Sequence, residues 1–506
     1  MMHPALPRLL SILCIAATTI IPTSATAAQR PNIVVILADD LGYGDLSCCG
    51  ATKVQTPNID RIANEGMRFL DAHSPHSVCT PTRYSLLTGR YSWRTWAKSR
   101  CVWSDDPLLI DTQRLTLPKL LKGAGYETAC IGKWHLGFGS PETPGWKNEQ
   151  GPDYNRELNP GPLEVGFDYF FGIPHVGQFP HVFIENHRVV GLQPDDPLQI
   201  QIDPRFAERT SYLDRINGTP AHRFEGGQSA KYQHEDLAVT LTEKAVDWID
   251  KQQHQPFFLY FAHRNVHAPL KPSPRFRGTS EIGIYGDFIN ELNWSVGQIL
   301  DALDRRNLAK DTLLILSSDN GAVQRGHKPA DIVDYDGHKA NGPWRGQKTE
   351  VYEGGHRVPL LVRWPGHIAP HSESAELVAL TDLLATTAEL LGQKLPDNAG
   401  EDSFSFLHAI QNRKPDEPVR DVIVHDSNQG GMAIRQGTWK LITIQGGGGI
   451  GWNAEDRNPA EPPGQLYNLA TDPTERKNLY EQHPEIVARL TGLLKDIQKS
   501  GRSRTD

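Results

Sequence analysis

The residues with the clearest chemical potential lie in one short run, SVCTPTR at positions 77–83. The run sets a cysteine, a proline and an arginine at C-x-P-x-R spacing, with Cys79 first and Arg83 last. Proline suits the first turn of a helix, so we expect a helix to begin at Thr80-Pro81. Residues 79 and 83 would then lie one turn apart on one helix face. A guanidinium there, together with the helix dipole, would favour negative charge at position 79.

Polar pairs directly follow two apolar runs of the chain, Asp39-Asp40 after the first and Asp319-Asn320 after a later one. Together they offer three carboxylates and one amide carbonyl, a set of hard oxygen ligands that suits Ca²⁺ or Mg²⁺. Either pair alone would more often form a solvated turn, but two such pairs at strand ends predict a metal site. The residues by themselves do not separate calcium from magnesium.

Further candidates are two lysines and two histidines. Lys133 and His135 stand in GKWHLG, and because they are two apart they would share one face of a strand. His267 stands in HRNVHAP and Lys348 in GQKTEVYEGGHRVP. Each has a simpler structural explanation when taken alone: a strand-end lysine, a satisfied histidine or a solvated lysine. The same holds for Cys79, which alone would more often be a buried, inert thiol.

Five apolar runs read as buried parallel strands: residues 32–38, 128–131, 257–262, 313–316 and 360–362. Helical patterns alternate with them at residues 58–65, 117–124, 238–251, 288–305 and 377–391. This alternation predicts an α/β domain, with helices on both faces of a large, mostly parallel sheet. Ligands of such sheets bind at the carboxyl ends of the strands, so the candidate residues should converge there.

The chain's tail has a different character. Breaker-rich segments at 396–402 and 414–418 precede strand-like pieces at 422–425, 432–435 and 439–443 and a final helix at 484–499. We therefore predict a catalytic α/β domain over residues 29–400 and a smaller C-terminal α+β domain over residues 401–506.

Composition narrows the functional class of this 506-residue chain. With 38% hydrophobic and 22% charged residues and a formal charge of −8, it is no general binder of nucleic acid or of an anionic membrane. Residues 1–28 read as a signal peptide, with Arg8, an apolar stretch and a final Ala25-Thr26-Ala27. No other stretch approaches membrane length, so we expect an exported protein, periplasmic or secreted.

The segments quoted above resemble those of the type I sulfatases, as do QLYNLATDP and the final Asn478-Leu479. The resemblance extends from Pro31 through the tail. It implies an alkaline-phosphatase-like fold, hydrolysis of sulfate monoesters, and conversion of Cys79 to formylglycine (3-oxoalanine) by a separate installing enzyme. It also implies Ca²⁺ rather than Mg²⁺, on a ligand set of Asp39, Asp40, Cys79, Asp319 and Asn320.

Residue roles follow from the same resemblance. Lys133 and Lys348 would bind the sulfate, His135 would act on the formylglycine hydroxyl, and His267 would face the leaving group. The resemblance thus implies a catalytic set of Cys79, Arg83, Lys133, His135, His267 and Lys348.

Several alternatives stay open at this point. A phosphatase or phosphonate monoester hydrolase of the same superfamily would share the fold and metal ligands, and a non-catalytic glycan-binding homologue would share the scaffold. The substrate is expected to be a sulfated carbohydrate, of galactose-type or amino-sugar 6-sulfate chemistry, or an aryl sulfate. Aromatic residues such as Trp344 favour a carbohydrate substrate. Arg264, His338 and Arg345 are candidates for sugar contacts, and solvated loop positions are at least as good an explanation of them. The pairing of Cys48, Cys49, Cys101 and Cys130 is not fixed by the sequence.

Overall fold

The structure is a computed structural model that describes residues 1, 30–146, 151–177, 180–202, 222–253, 255–324, 337–411, 413, 418–450, 455 and 457–504. Apart from Met1, the predicted signal peptide at residues 1–28 lies outside the described residues. Among the described residues, no helix combines the length and the apolar character that a bilayer crossing requires. The five cysteines in the described part of the chain, including Cys101 and Cys130, form no disulfide.

Strands and helices alternate through most of the chain. The strands of the described residues are β1 (Asn32–Ala38), β2 (Met67–His73), β3 (Glu127–Lys133), β4 (Tyr169–Ile173), β5 (Ile184–Glu185), β6 (Arg188–Val189), β7 (Gln199–Ile202), β8 (His222–Glu225), β9 (Phe257–Ala262), β10 (Thr312–Ser318), β11 (Leu360–Arg363), β12 (Ser372–Ala379), β13 (Val422–Asp426), β14 (Met432–Gln436), β15 (Trp439–Ile442) and β16 (Gln465–Asn468). The α-helices are α1 (Pro57–Asn64), α2 (Cys79–Thr88), α3 (Leu117–Gly123), α4 (Leu237–Lys251), α5 (Ile284–Arg305), α6 (Glu353–His356), α7 (Leu383–Leu390), α8 (Leu407–Ile410) and α9 (Pro484–Ser500).

The main sheet has the strand order β12-β2-β11-β10-β1-β9-β3-β4-β5-β6 within the described residues. Its centre, β10, β1, β9, β3 and β4, is entirely parallel. Every residue of β1 and of β9 is buried. Strands covered on both faces read as continuous apolar runs, which is why these were recognisable in the sequence.

Helices cover both faces of this sheet. Ile36 of β1 belongs to one apolar core, which Val296 of α5 helps to complete. Its neighbour Val35 belongs to the opposite core, together with Leu86 of α2. Successive strand residues point to opposite faces, so each central strand stabilises two helical layers at once. The predicted class, an α/β fold with a mostly parallel sheet, is confirmed.

One predicted strand has the wrong direction. The sequence predicts a parallel strand at residues 360–362, and the structure shows β11 there, antiparallel to both β10 and β2. An apolar run such as LLV carries no information about the direction in which the chain enters a sheet. The prediction was therefore right about burial and wrong about pairing.

One predicted helix is partly a strand. The pattern at residues 377–391 predicts a helix, but β12 continues to Ala379 and α7 begins only at Leu383. The first half of β12 alternates between partly buried and exposed residues, and its last three residues are fully buried. A short apolar run does not distinguish a buried strand from the start of a helix. Strands β2 and β4 were not predicted at all.

The tail forms a second, smaller sheet of antiparallel strands in the order β13-β14-β15-β16. Helix α9 packs on it through Leu490 and Leu494, which share an apolar cluster with Ile434 and Leu441. This arrangement agrees with the predicted α+β character of the tail. The domain boundary near residue 400 stays a prediction.

Candidate active site

The carboxyl ends of β1 and β10 bring the two polar pairs together. These strands are parallel with Ala38 opposite Ser318, so Asp39 and Asp319 leave the sheet at the same level. The backbone N–H of Asp40 donates to Asp319 Oδ1 at 3.2 Å. Asn320 Nδ2 donates to Asp40 Oδ1 at 2.7 Å. The predicted convergence at one edge of the sheet is therefore observed for all four residues.

Helix α2 carries Cys79 into the same region. It begins at Cys79, after the extended Val78, and every residue of the helix is buried. A hydrogen bond to the Cys101 thiol and burial raise the pKa of Cys79 to about 12, and the same bond lowers the pKa of Cys101 to about 7. An unmodified Cys79 is therefore a thiol, not a thiolate, at neutral pH.

Arg83 lies one turn after Cys79, and its guanidinium contacts carboxylates. Its Nη2 donates to Asp319 Oδ2 at 2.7 Å and lies 3.6 Å from Asp39 Oδ1. Its Nη1 donates to the carbonyl oxygen of Lys133 at 3.1 Å. The guanidinium thus joins α2 to the ends of β1, β3 and β10 and fixes the start of the helix against the sheet edge.

The aspartates meet two further cations. Lys133 Nζ donates to Asp39 Oδ2 at 2.8 Å, and Lys348 Nζ lies 2.6 Å from Asp40 Oδ1. Burial opposes ionisation of Asp39, but Lys133 and neighbouring cations hold its pKa well below the usual range. Burial and the nearby Cys79 and Asp39 raise the pKa of Asp319 well above its usual value. A divalent cation at this position would add to the charge of Lys133 and Arg83 and favour the ionised form of both carboxylates.

The oxygen ligands fit a hard divalent cation. Asp39 Oδ1 and Asn320 Oδ1 are buried and have no hydrogen-bond partner among the described residues. Ligand atoms of Asp39, Asp40, Cys79 and His267 all lie within 4.8 Å of one another. Carboxylate and amide oxygens are the ligands that Ca²⁺ prefers. A bound Ca²⁺ would therefore suit this donor set and would supply the partner that the two unpartnered oxygens lack.

The expected strand geometry of Lys133 and His135 is wrong. Strand β3 ends at Lys133, and His135 lies beyond it with a φ of 56°, so the two do not share a strand face. Gly132 is needed just before the strand end, since a Cβ there would lie 1.9 Å from the Ala262 carbonyl oxygen of β9. Burial lowers the pKa of His135 well below its usual value, and neither ring nitrogen has a hydrogen-bond partner within the described ranges.

His267 and Lys348 reach the site from loops. His267 Nε2 lies 3.8 Å from Asp40 Oδ2, and its Nδ1 lies 2.5 Å from the Ala268 carbonyl oxygen. Lys348 is held by its backbone N–H, which donates to the Ala322 carbonyl oxygen at 3.0 Å. Burial opposes its charge, yet Asp40 raises the pKa of Lys348 well above its usual value. Three cations, one histidine and one thiol thus surround the aspartates.

Comparison with known proteins identifies the family. The sulfatase family profile matches residues 31–393. The chain is 38% identical to N-acetylgalactosamine-6-O-sulfatase of Bacteroides thetaiotaomicron, over 93% of this chain and 94% of that protein. The chain belongs to the sulfatase family. The human N-acetylgalactosamine-6-sulfatase is also similar, at 33% identity over 78% of this sulfatase and 68% of the human protein.

Solved structures agree with this assignment. A Bacteroides thetaiotaomicron structure from work on the metabolism of multiple glycosaminoglycans, described as 6S-sulf, superimposes with a TM-score of 0.82. It is 37% identical, with 93% of this sulfatase and all of that chain covered. A phosphonate monoester hydrolase of Agrobacterium radiobacter shares the fold, with a TM-score of 0.59 and 18% identity. The chain is therefore an enzyme of sulfate ester hydrolysis, as predicted.

Sequence reasoning missed part of this sulfatase's site. His175 lies 4.0 Å from His135 between ring centroids, edge to face, and stacks on Trp103 at 5.8 Å. It follows β4 by two residues, so recognising that strand would have pointed to it. Cys101, whose thiol interacts with Cys79 and helps to raise the pKa of Cys79, has no spacing signal that could have found it.

The proposed sugar contacts have internal partners. His338 Nε2 donates to Asp45 Oδ1 at 2.8 Å, and Arg345 lies over the Tyr352 ring at 3.9 Å. Arg264 is fully buried against Phe288, and its Nε and Nη1 atoms have no hydrogen-bond partner in the parts of the chain that the structure describes. Of these three residues, Arg264 alone has unpartnered donors.

Proposed function

We propose that this sulfatase hydrolyses a 6-O-sulfate ester on an N-acetylgalactosamine-type sugar of a glycan. The observation that carries the proposal is the similarity to relatives named for that reaction, at 38% identity over nearly the whole chain. The buried, cation-rich edge of the sheet supports it, because an anionic ester must be gathered by local positive charge on an acidic protein.

The proposed nucleophile is residue 79, as a formylglycine produced from Cys79. The hydrated aldehyde supplies one hydroxyl that attacks sulfur and a second whose loss of a proton releases sulfate and restores the carbonyl. Around it, Arg83, Lys133 and Lys348 supply the positive field that stabilises charge on the sulfate oxygens. Because Arg83 and Lys133 are buried and all three cations contact carboxylates, they need little reorganisation when the ester binds.

The proposed metal ligands are Asp39, Asp40, Asp319, Asn320 and residue 79. When bound, Ca²⁺ would neutralise sulfate charge and lower the pKa of the hydroxyl that it contacts. Lys133 and Arg83 share the carboxylates of Asp39 and Asp319 with this site. The same contacts therefore orient both the ligands and the sulfate-binding cations.

Two histidines have proposed proton-transfer roles. His267, beside Asp40 at the accessible side of the site, donates a proton to the leaving alcohol. His135, buried and neutral, accepts the proton of the second hydroxyl of residue 79. No second displacement at sulfur is then required.

Maturation and location complete the proposal. A formylglycine-installing enzyme must act on Cys79, since no other group supplies the aldehyde. The signal-like residues 1–28 support export to a periplasm or to the outside of the cell. An exported enzyme would encounter sulfated glycans outside the cytoplasm.

Chelation is expected to destabilise the protein as well as inactivate it. Without the proposed ion, Asp39 Oδ1 and Asn320 Oδ1 stay buried with no hydrogen-bond partner among the described residues, and burying such polar atoms unpaired costs free energy. A ligand present at about 100 times its Kd contributes about 2.7 kcal/mol of folding stability, so EGTA should lower the unfolding temperature by several degrees. Differential scanning fluorimetry measures this, and re-addition of Ca²⁺ alone should restore the original midpoint. An unchanged midpoint and full activity in EGTA would remove the metal site from the proposal.

A substrate panel tests the sugar and the ester together. We expect turnover of N-acetylgalactosamine 6-sulfate at least about 100-fold faster, as kcat/KM, than of the 4-sulfate isomer, which a fixed pocket would hold with sulfur away from residue 79. Paired assays on 4-nitrophenyl sulfate and 4-nitrophenyl phosphate test the rival phosphatase activity. Preference for the phosphate would overturn the ester assignment. Equal rates on the sugar isomers would overturn only the sugar, and no turnover of any ester would favour a glycan-binding homologue.

A further inference from the structure

Three histidines outside the residues assigned to the reaction form a second buried cluster. His73 ends β2, His356 ends α6, and His425 lies in β13. Their exposed fractions are 0%, 0% and 1%. One ring nitrogen from each lies within 4.8 Å of those from the other two.

Two of the histidines have a proton position that their partners determine. His73 Nε2 lies 2.8 Å from Asp71 Oδ1, and a carboxylate that also accepts hydrogen bonds from Arg435 can only accept. His73 Nε2 therefore carries the proton. His425 Nδ1 lies 3.1 Å from the Ser74 carbonyl oxygen and is likewise the donor. The remaining nitrogens, His73 Nδ1 and His425 Nε2, then each present a lone pair to the cluster.

The proton of His356 can lie on either ring nitrogen, and its position decides whether the cluster can bind a cation. Its Nδ1 lies 3.0 Å from His73 Nδ1, and its Nε2 lies 3.2 Å from the Val351 carbonyl oxygen and 3.1 Å from Lys440 Nζ. If Nε2 donates to Val351, three lone pairs face one another and only a cation can satisfy them. If Nε2 accepts from Lys440, His356 can donate to His73. In that relay His425 Nε2, which has no hydrogen-bond partner in the described part of the chain, is still unsatisfied.

We propose that His73, His356 and His425 form a transition-metal site, separate from the oxygen site of the reaction, and that Zn²⁺ is its ion. A bound ion would accept the lone pairs of all three nitrogens, His73 Nδ1, His356 Nδ1 and His425 Nε2. The carboxylate and carbonyl behind His73 and His425 are the partners that orient metal-binding imidazoles. Three imidazoles suit zinc, which commonly keeps a fourth position for a small ligand.

Metal binding requires one local adjustment. The rings of His356 and His425 are stacked, with centroids 3.6 Å apart and an angle of 12° between planes. An ion lies in the plane of each imidazole that binds it, so the two rings must rotate about their Cβ–Cγ bonds until the planes intersect. The bound ion would tie the main sheet, through His73, to the small C-terminal sheet, through His425. It would also hold the segment that runs from His73 to Cys79.

The test is a zinc titration of the full-length protein, carrying no histidine tag, in excess Ca²⁺. Calcium keeps the oxygen ligands filled and does not compete for imidazoles. We expect one Zn²⁺ per chain by plasma mass spectrometry after desalting. Losing the partner of a metal ligand typically costs 10- to 100-fold in affinity, so His425→Gln, which loses the ligand itself, should bind zinc more than about 100-fold more weakly.

A matched control is His483→Gln, which changes a half-buried histidine on the small domain outside the cluster. It should bind zinc like the wild type. Crystals of the zinc-loaded wild type should show an anomalous peak at the zinc edge, about 2.0–2.1 Å from the three nitrogens. This decides the question even if His425→Gln fails to fold. A zinc-free wild type, an anomalous peak elsewhere, or unchanged zinc affinity in a folded His425→Gln would overturn the proposal in favour of the Lys440 relay.

Discussion

Cys79→Ser is expected to lower the turnover of an aryl sulfate by about 10⁴-fold or more, in a host whose installing enzyme converts only cysteine. Removing a nucleophile from a group of residues that act together has effects of about this size or larger. Serine is close to cysteine in volume, so the buried start of α2 should fold as before. Initial rates with 4-nitrophenyl sulfate, alongside a melting curve, measure the two effects separately.

The matched control for this change is Cys130→Ala. Cys130 is a buried thiol of β3 that packs in the apolar core with Tyr260, and its loss should leave turnover within a few-fold of wild type. Peptide mass spectrometry of the active wild type should show an aldehyde or its hydrate at position 79. An unmodified thiol in fully active protein, or an active Cys79→Ser, would remove residue 79 as the nucleophile.

Lys133→Ala is expected to reduce kcat/KM by at least about 10²–10³-fold, the usual result of deleting one group that stabilises developing charge. The Lys133 ammonium is fully buried beside Asp39, where its field is poorly screened. A divalent ion held by Asp39 and Asp319, as proposed, should limit the loss of stability. Turnover of the aryl sulfate at saturating Ca²⁺ measures the catalytic part.

Lys122→Ala provides the comparison, because Lys122 pairs with Asp168 on the surface of the same domain with half of its side chain exposed. Surface ion pairs contribute about 1 kcal/mol or less, so this variant should be close to wild type in rate and stability. A folded Lys133→Ala with activity within a few-fold of wild type would exclude Lys133 from sulfate binding.

The strand ends were the most predictable part of the molecule. Asp39 directly follows the apolar run 33–38, and Asp319 comes two serines after the run 313–316. The rule that ligands gather at the carboxyl edge of a parallel sheet was enough to bring them together. The side-chain contacts at that edge of the sheet were less predictable from the sequence. Nothing in the spacing of Cys79 and Arg83 shows that the guanidinium contacts Asp319, because that pairing depends on how α2 lies across the sheet.

The functional residues that could not be predicted from the sequence were missed for identifiable physical reasons. His175 was overlooked because β4, YFFGI, was not predicted: Gly172 within it and Pro174 directly after it are residues more typical of turns and loops. The histidine cluster had no local signal, since His73, His356 and His425 lie far apart in the chain. Such groups become visible only once the strand pairing is known.

Strands β1 and β10 pair with Ala38 opposite Ser318. The affinity of the proposed site for Ca²⁺ therefore depends on the correct alignment of these two strands. A slip of β10 by one position would move Asp319 by about 3.3 Å and turn it to the opposite side of the sheet. Ca²⁺ ligands must lie at about 2.3–2.6 Å, so a misaligned intermediate would bind the ion no better than a random coil. During refolding, calcium uptake should therefore coincide with locking of the central strands and precede any recovery of catalysis.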